Sequence, residues 1–169
     1  FRVDETTDIQ SLILTWEASQ FLEKTGLQSI RPDADIRLSL PGLYNRLLDH
    51  IQTHAYFMAQ DLAREVQWSE AVTSWYDEVY WPLVSVIRQQ KILAGFPGRT
   101  EADLYLWIIE HLWYLRQEFQ DISLEEAAMH FTAAYASRPG AHPLERILGG
   151  VHSLAVDDSE KAPPAGDGA

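Results

Sequence analysis

The sequence predicts an all-α protein, an irregular helical bundle of about five or six helices with one extended connector. Apolar residues recur at i, i+3, i+4 and i+7 in several segments, and capping residues precede several of them. Apolar and polar residues alternate, as they do in a β-strand, in only one short stretch. With 169 residues, 46% of them apolar, the chain is long enough for one domain with its own core. We assign residues 1–155 to that domain.

Residues 1–40 are predicted to form a helix followed by the connector. The helix runs from about Asp8, a candidate N-cap, to Lys24, and Gly26 stops it. Residues 31–42, RPDADIRLSLPG, alternate like a strand but have no second strand to pair with, so we expect an extended connector. The first helix has one face of apolar residues at helical spacing: Ile9, Leu12, Ile13 and Trp16.

Residues 41–136 are predicted to form the central bundle. Its first helix runs from Pro41 to about Arg64 and has one amphipathic stripe. Ser69 is the predicted N-cap of the next helix, which Pro82 should bend near Glu78 because proline cannot donate to that carbonyl. The amphipathic stripe of the helix that begins at Pro41 contains Leu47, Ile51, His54, Met58 and Leu62.

Two N-capping patterns define the later helices. Thr100 caps a helix that ends near Phe119, and Ser123 with Glu126 forms a capping box that opens a helix over 124–136. A short last helix is predicted over 143–153. Residues 156–169 are small, acidic and rich in proline and glycine, which is typical of a disordered tail.

The charge of the chain excludes several kinds of partner. Lys and Arg total 13 against 25 Asp and Glu, a formal charge of -12, which disfavours direct binding to nucleic acid or to an anionic membrane. The chain has no cysteine, which removes disulfides and thiolate chemistry. Neither a signal peptide nor a membrane span is evident, so we expect a cytoplasmic protein. Phe1 in place of methionine suggests a segment of a longer protein.

The helix after Thr100 is apolar nearly all round. Leu106, Ile109 and Trp113 lie opposite its main apolar sector. It is therefore either the central helix of the bundle or a helix that presents its second face to a partner. The main sector contains Leu104, Trp107, Ile108, His111, Leu112, Leu115 and Phe119.

Three histidines are predicted to point into one core. His111 lies near the middle of the apolar sector just described and should be largely buried. On the helix that begins at Pro41, His54 lies in the middle of the apolar stripe and His50 lies at its edge. Such a triad could bind zinc or another divalent metal, since neutral imidazoles on facing helices can converge on one ion, and it resembles the arrangement in DinB-type bundles. The alternative is that these histidines only pack. No cofactor is otherwise expected.

Five further residues are candidate ligand or partner sites. Arg99 and Glu101 lie at a helix N-terminus, where Arg99 either clamps an anion or ties down the loop. Asp77 lies among aromatic residues that can shift a carboxyl pKa. Glu110 precedes His111, and Trp113 lies on the second apolar face. The sequence has no nucleophile elbow, phosphate loop or dinucleotide fingerprint, so an enzyme is not favoured.

Three segments carry a resemblance that covers about residues 16–136. SWYDEVYWPLV, FPGRTEADLYLWIIEHLWYL and SLEEAA resemble a bacterial domain of unknown function that occurs with lipopolysaccharide-kinase-like domains, and a segment found behind ParB-like domains. The resemblance implies an all-helical accessory domain without an established activity. Leu112 stands where relatives would have a basic residue. The family-like positions are Trp75, Tyr76, Asp77, Tyr80, Pro82, Pro97, Gly98, Arg99, Glu101, Glu110, His111 and Trp113.

Three functional hypotheses follow. The first is a non-enzymatic accessory or regulatory domain that docks on an attached or separate protein domain, or on a second copy of itself. The second is a metal-dependent helical-bundle enzyme or small-ligand binder that uses His50, His54 and His111. The third is the accessory domain of a ParB-like, DNA-linked regulator whose DNA-reading domain lies outside this segment.

Overall fold

The described part of the chain, residues 5–137 of a computed structural model, confirms the all-α fold, and no strand occurs within it. A π-helical segment, Trp75–Tyr80, joins α4 to α5, and a 3-10 turn, Ile92–Gly95, follows α5. No helix in this range is both long and apolar enough to cross a bilayer. The α-helices are α1 (Glu5–Thr25), α2 (Leu27–Ile30), α3 (Leu43–Leu62), α4 (Trp68–Ser74), α5 (Trp81–Gln89), α6 (Glu101–Glu118) and α7 (Leu124–Tyr135).

The helix α6 is central over its first half and partly exposed over its second half. Leu104, Leu106 and Ile108 are fully buried although they point in different directions from the helix axis, because α3, α5 and α7 all pack against α6. Further along, Trp113 is 63% exposed and Tyr114 is 44% exposed. The first half of α6 is therefore a central helix of the bundle, which was one of the two predicted alternatives. The second half leaves part of its apolar surface exposed, which the other alternative requires.

Several predicted helix ends are confirmed. Thr100 and Ser123 both form capping boxes, with Asp103 and Glu126 as the reciprocal partners. Gly26 ends α1 in a left-handed conformation, with φ of 64°, which glycine adopts without steric cost. These ends depend on short-range hydrogen bonds that the local sequence specifies.

Other predicted boundaries are wrong by a few residues. Asp8 lies inside α1, α4 begins at Trp68 so that Ser69 is not its cap, and α3 begins at Leu43, two residues after Pro41. The predicted helix over 143–153 and the tail over 156–169 lie outside the described residues.

Pro82 was predicted to bend its helix near Glu78, and at that place the structure has the π-helical segment. Pro82 has no N–H to donate to the carbonyl of Glu78, so the regular ladder is interrupted in the preceding turn. The wider turn places Trp75 and Tyr80 on the same side, where both are buried and their ring centroids lie 5.2 Å apart. This segment supplies part of the surface described below.

The connector over 31–42 contains no helix or strand, as predicted. Its position is fixed by Asp103, a fully buried carboxylate that accepts hydrogen bonds from the backbone N–H of Ser39 at 2.9 Å and from the Ser39 hydroxyl. Asp103 also accepts from the N–H of Thr100 at 3.0 Å. One side chain therefore holds the connector against the start of α6.

Candidate functional site

A groove between α3 and α6, with a volume of about 790 Å³, combines a buried floor with exposed aromatic walls. Trp75 and Tyr105 line it and are each 1% exposed, whereas Phe57 and Trp113 on opposite walls are 58% and 63% exposed. We call this surface the α3–α6 groove. It is lined by Arg46, His50, Thr53, His54, Phe57, Trp75, Glu78, Val79, Tyr105, Ile109, Glu110, Leu112, Trp113, Tyr114, Arg116 and Leu124.

The floor of the groove is a packed aromatic cluster. The Trp75 indole Nε1–H donates to the Tyr105 hydroxyl at 2.9 Å, with the two rings nearly perpendicular. Tyr80 packs against both rings, with its ring centroid 4.9 Å from that of Tyr105 and 5.2 Å from that of Trp75. Burial raises the pKa of both tyrosines, so their hydroxyls remain neutral and the floor carries no charge.

Two of the predicted histidines line the groove. His54 Nε2 lies 3.0 Å from the Ser74 hydroxyl, and the His50 ring meets Tyr105 edge-on. Burial lowers the pKa of both imidazoles; the neighbouring Arg46 lowers that of His50 further, whereas Glu78 opposes the shift at His54. Both imidazoles are therefore neutral at neutral pH, so the charged side chains that line the groove are two arginines and two glutamates, Arg46, Arg116, Glu78 and Glu110.

An ion pair bridges the two walls of the groove. The Arg46 guanidinium on α3 donates to the Glu110 carboxylate on α6. Glu110, a predicted site residue, therefore lies in the groove but is engaged with a partner of opposite charge. The pair contributes a polar contact without a net charge, so the groove wall stays close to electrically neutral.

The predicted metal triad is wrong, because His111 lies on the opposite side of α6. His111 is half-buried and faces α7, where its Nε2 lies 2.8 Å from His130 Nδ1. The ring centroids are 5.0 Å apart, as for two imidazoles joined end to end by one N–H···N hydrogen bond. Burial lowers the pKa of His111, and His130 lowers it further. In the described residues, no three His, Cys, Asp or Glu side chains are placed to hold a metal.

The remaining candidate residues have structural partners and lie outside the groove. Asp77 accepts two hydrogen bonds from Arg31, which lowers the pKa of its carboxyl, and Glu101 pairs with Arg88 at 2.8 Å. Arg99 donates to the Ser39 hydroxyl at 3.0 Å, which joins the residue before Thr100 to the connector. Of the five candidate ligand or partner residues, only Trp113 both lines the groove and is largely exposed.

Comparisons of the chain with protein-family models, with curated proteins and with solved structures found no match. The resemblance to domains that accompany lipopolysaccharide-kinase-like or ParB-like domains therefore stays a prediction.

Several groove residues were missed in the sequence. Phe57 lies three residues after His54 and seven after His50, so its place on their face follows from helical spacing. Arg46 and Tyr105 gave no such signal, because their roles depend on α3 packing against α6, and the helix pairing is not specified by either helix alone.

Proposed function

We propose that this chain is a non-enzymatic accessory or regulatory module that docks an amphipathic helix of an attached or separate protein domain in the α3–α6 groove. The observation that carries the proposal is the exposed aromatic surface on both walls, with Phe57 58% and Trp113 63% exposed above a buried floor. Aromatic side chains of this kind, central in a concave surface, are the usual anchors of protein interfaces.

The polar groups of the groove support docking rather than catalysis. His54 is hydrogen-bonded to Ser74, Arg46 is paired with Glu110, and the floor hydroxyl of Tyr105 is engaged by Trp75. A general acid or base must be free to reach a substrate proton. His54, Arg46 and Tyr105 already have hydrogen-bond partners, and the exposed surface that an occupant would meet first is aromatic, which favours an apolar occupant.

The shape of the groove supports a helix as the occupant. Its walls are two helices that pack against each other, and the depression between such helices is where a third helix packs in a bundle. Recognition of this kind uses apolar residues at i, i+3, i+4 and i+7 as anchors. A partner helix would therefore place its apolar stripe between Phe57 and Trp113.

A nuclear magnetic resonance titration tests the proposal. The probe is a charge-neutral synthetic helix with leucines at i, i+3, i+4 and i+7, added to the chain labelled with ¹⁵N. We expect the indole signals of Trp75 and Trp113 to shift and that of Trp68, which is bonded to the Lys24 carbonyl at 2.7 Å, to stay. Trp113→Glu should remove the shifts, because it places a charge at the centre of the apolar contact.

The matched control is Leu62→Glu, which adds the same charge at an apolar residue that is 47% exposed and does not line the groove. It should leave the titration unchanged. Perturbations that survive Trp113→Glu, or no perturbation at millimolar probe, would show that the groove is not a docking surface. An attached domain of the kinds suggested by the sequence resemblance is a natural second probe.

A further inference from the structure

The first half of α1 forms a second exposed apolar surface, separate from the α3–α6 groove. Its apolar residues are spaced i, i+3, i+4 and i+7, the spacing of a docking helix. The stretch from residue 9 to residue 16, IQSLILTW, contains no charged side chain. We call it the α1 arm. Its exposed fractions are 56% for Ile9, 65% for Leu12, 40% for Ile13 and 64% for Trp16.

The second half of α1 is held firmly on the body of the protein. The Glu17 carboxylate accepts from the Gly42 N–H at 3.0 Å, and Phe21 is buried against Tyr44 with ring centroids 5.6 Å apart. From residue 9 to the end of α1, where the side chains are described, no residue lines the α3–α6 groove. The arm continues the same helix, so it cannot enter its own groove unless α1 detaches or breaks.

We propose that the arm of one copy occupies the α3–α6 groove of a second copy. This inference rests on the proposed function and names its partner. Arm and groove match in chemistry: an uncharged apolar helix face meets aromatic walls, neutral imidazoles and charged side chains that balance, with Arg46 and Arg116 against Glu78 and Glu110. An uncharged arm is notable in a chain of net charge -12, because it lets two acidic molecules approach without placing like charges in the contact.

The area available at one contact argues for a reciprocal exchange. Burying the exposed parts of the four arm residues removes on the order of 400 Å² from water. With a similar area from the groove, a single contact buries roughly 800 Å², which is below the ~1,200 Å² of a stable interface. A two-fold dimer in which each copy inserts its arm into the other buries roughly 1,600 Å², and it closes the assembly instead of extending it.

Sedimentation velocity of the full chain over a range of concentrations tests this. We expect a dimer whose dissociation constant rises roughly 30-fold or more in Trp16→Glu and in Trp113→Glu, as for loss of an aromatic hot spot. Leu62→Glu should match the parent chain. Because each copy carries a net charge of -12, added salt should strengthen the dimer by screening the repulsion.

Mixing the two variants gives a sharper result. Each variant alone has no intact contact, but a mixed dimer joins the intact arm of the Trp113→Glu chain to the intact groove of the Trp16→Glu chain. Because the mixed dimer keeps only one contact of roughly 800 Å², it should be weaker than the parent dimer, but it should form at protein concentrations at which neither variant dimerises alone. A dimer that uses some other surface would show no such complementation.

Disulfide capture gives a second, independent measurement. The chain has no cysteine, so a Leu12→Cys chain mixed with a Phe57→Cys chain should form a disulfide between copies, whereas Leu12→Cys mixed with Met129→Cys on α7 should not. A chain that is monomeric at every concentration, or a dimer unaffected by Trp16→Glu, overturns the inference. Either result would leave the model-helix titration as the test of the proposed function.

If Trp16→Glu lowers the stability of a monomer, the arm is covered within its own chain, and the inference is also wrong. This outcome is distinguished from dimer loss because the stability change would not depend on protein concentration.

Discussion

Removal of the Asp103 carboxylate should be the most destabilising polar substitution described here. The side chain is fully buried and accepts from the N–H groups of Ser39 and Thr100 and from the Ser39 hydroxyl. In Asp103→Ala the two N–H groups lose their acceptor, at about 1–3 kcal/mol for each donor left buried and unpaired. We therefore expect a loss of roughly 2–6 kcal/mol, a large part of the stability of an ordinary domain.

Asp103→Asn separates hydrogen bonding from side-chain volume. The amide has nearly the same shape, but its NH₂ group must face either the Ser39 N–H or the Thr100 N–H, so one of these donors is left unpaired. The expected loss is about 1–3 kcal/mol, roughly half that of the alanine variant.

Urea unfolding followed by circular dichroism measures both variants. The control is Asp35→Ala, which removes a carboxylate from an exposed ion pair with Arg37 and should change the free energy of unfolding by less than about 0.5 kcal/mol. A loss below about 1 kcal/mol in Asp103→Ala would show that the connector is not held by this carboxylate. Equal losses in the alanine and asparagine variants would refute the count of unpaired donors.

Two further predictions concern the aromatic floor and the histidine pair. Tyr105→Phe should lower the free energy of unfolding in urea by about 1–3 kcal/mol, because it leaves the Trp75 indole N–H buried without an acceptor; an unchanged midpoint would contradict this. The pKa of His111 is lowered in the folded protein, so the unfolded chain binds its proton more readily, and stability should fall as the pH drops below about 6.5. Between pH 7 and pH 5 the parent chain should therefore lose more stability than His111→Asn, and equal losses would show that the lowered pKa of His111, which burial and the neighbouring His130 cause, does not drive the loss.

The features predicted correctly from sequence are those that a few neighbouring residues determine. The N-cap at Thr100, the capping box at Ser123 and the stop at Gly26 depend on hydrogen bonds and backbone angles within one turn. Near Glu78, where Pro82 predicted a bend, the structure has a π-helical segment. Each of these signals is complete within four or five residues.

The features that were wrong depend on which helix lies beside which. His111 was correctly placed in an apolar sector of its helix, but that sector faces α7, whereas His50 and His54 face the other side of α6. A helical wheel gives the direction of a side chain around its own axis and not the neighbour it meets. The same limit explains why the stripe from Ile9 to Trp16 predicted a helix correctly while its exposure could not be foreseen.

The π-helical segment also bears on how this chain can change in length. A regular α-helix turns by about 100° per residue, so Trp75 and Tyr80, five residues apart, would point to different sides of an unbroken one. The wider turn absorbs one extra residue and brings both rings against Tyr105. Deleting a single residue between them would restore a regular helix in which the two rings, now four residues apart, still share a side, and Leu83 and Ile87 would keep facing the core. A deletion in the regular turns of α5 would instead rotate every later residue of that helix by about 100°, so this turn should tolerate the loss of one residue better than the helix after it.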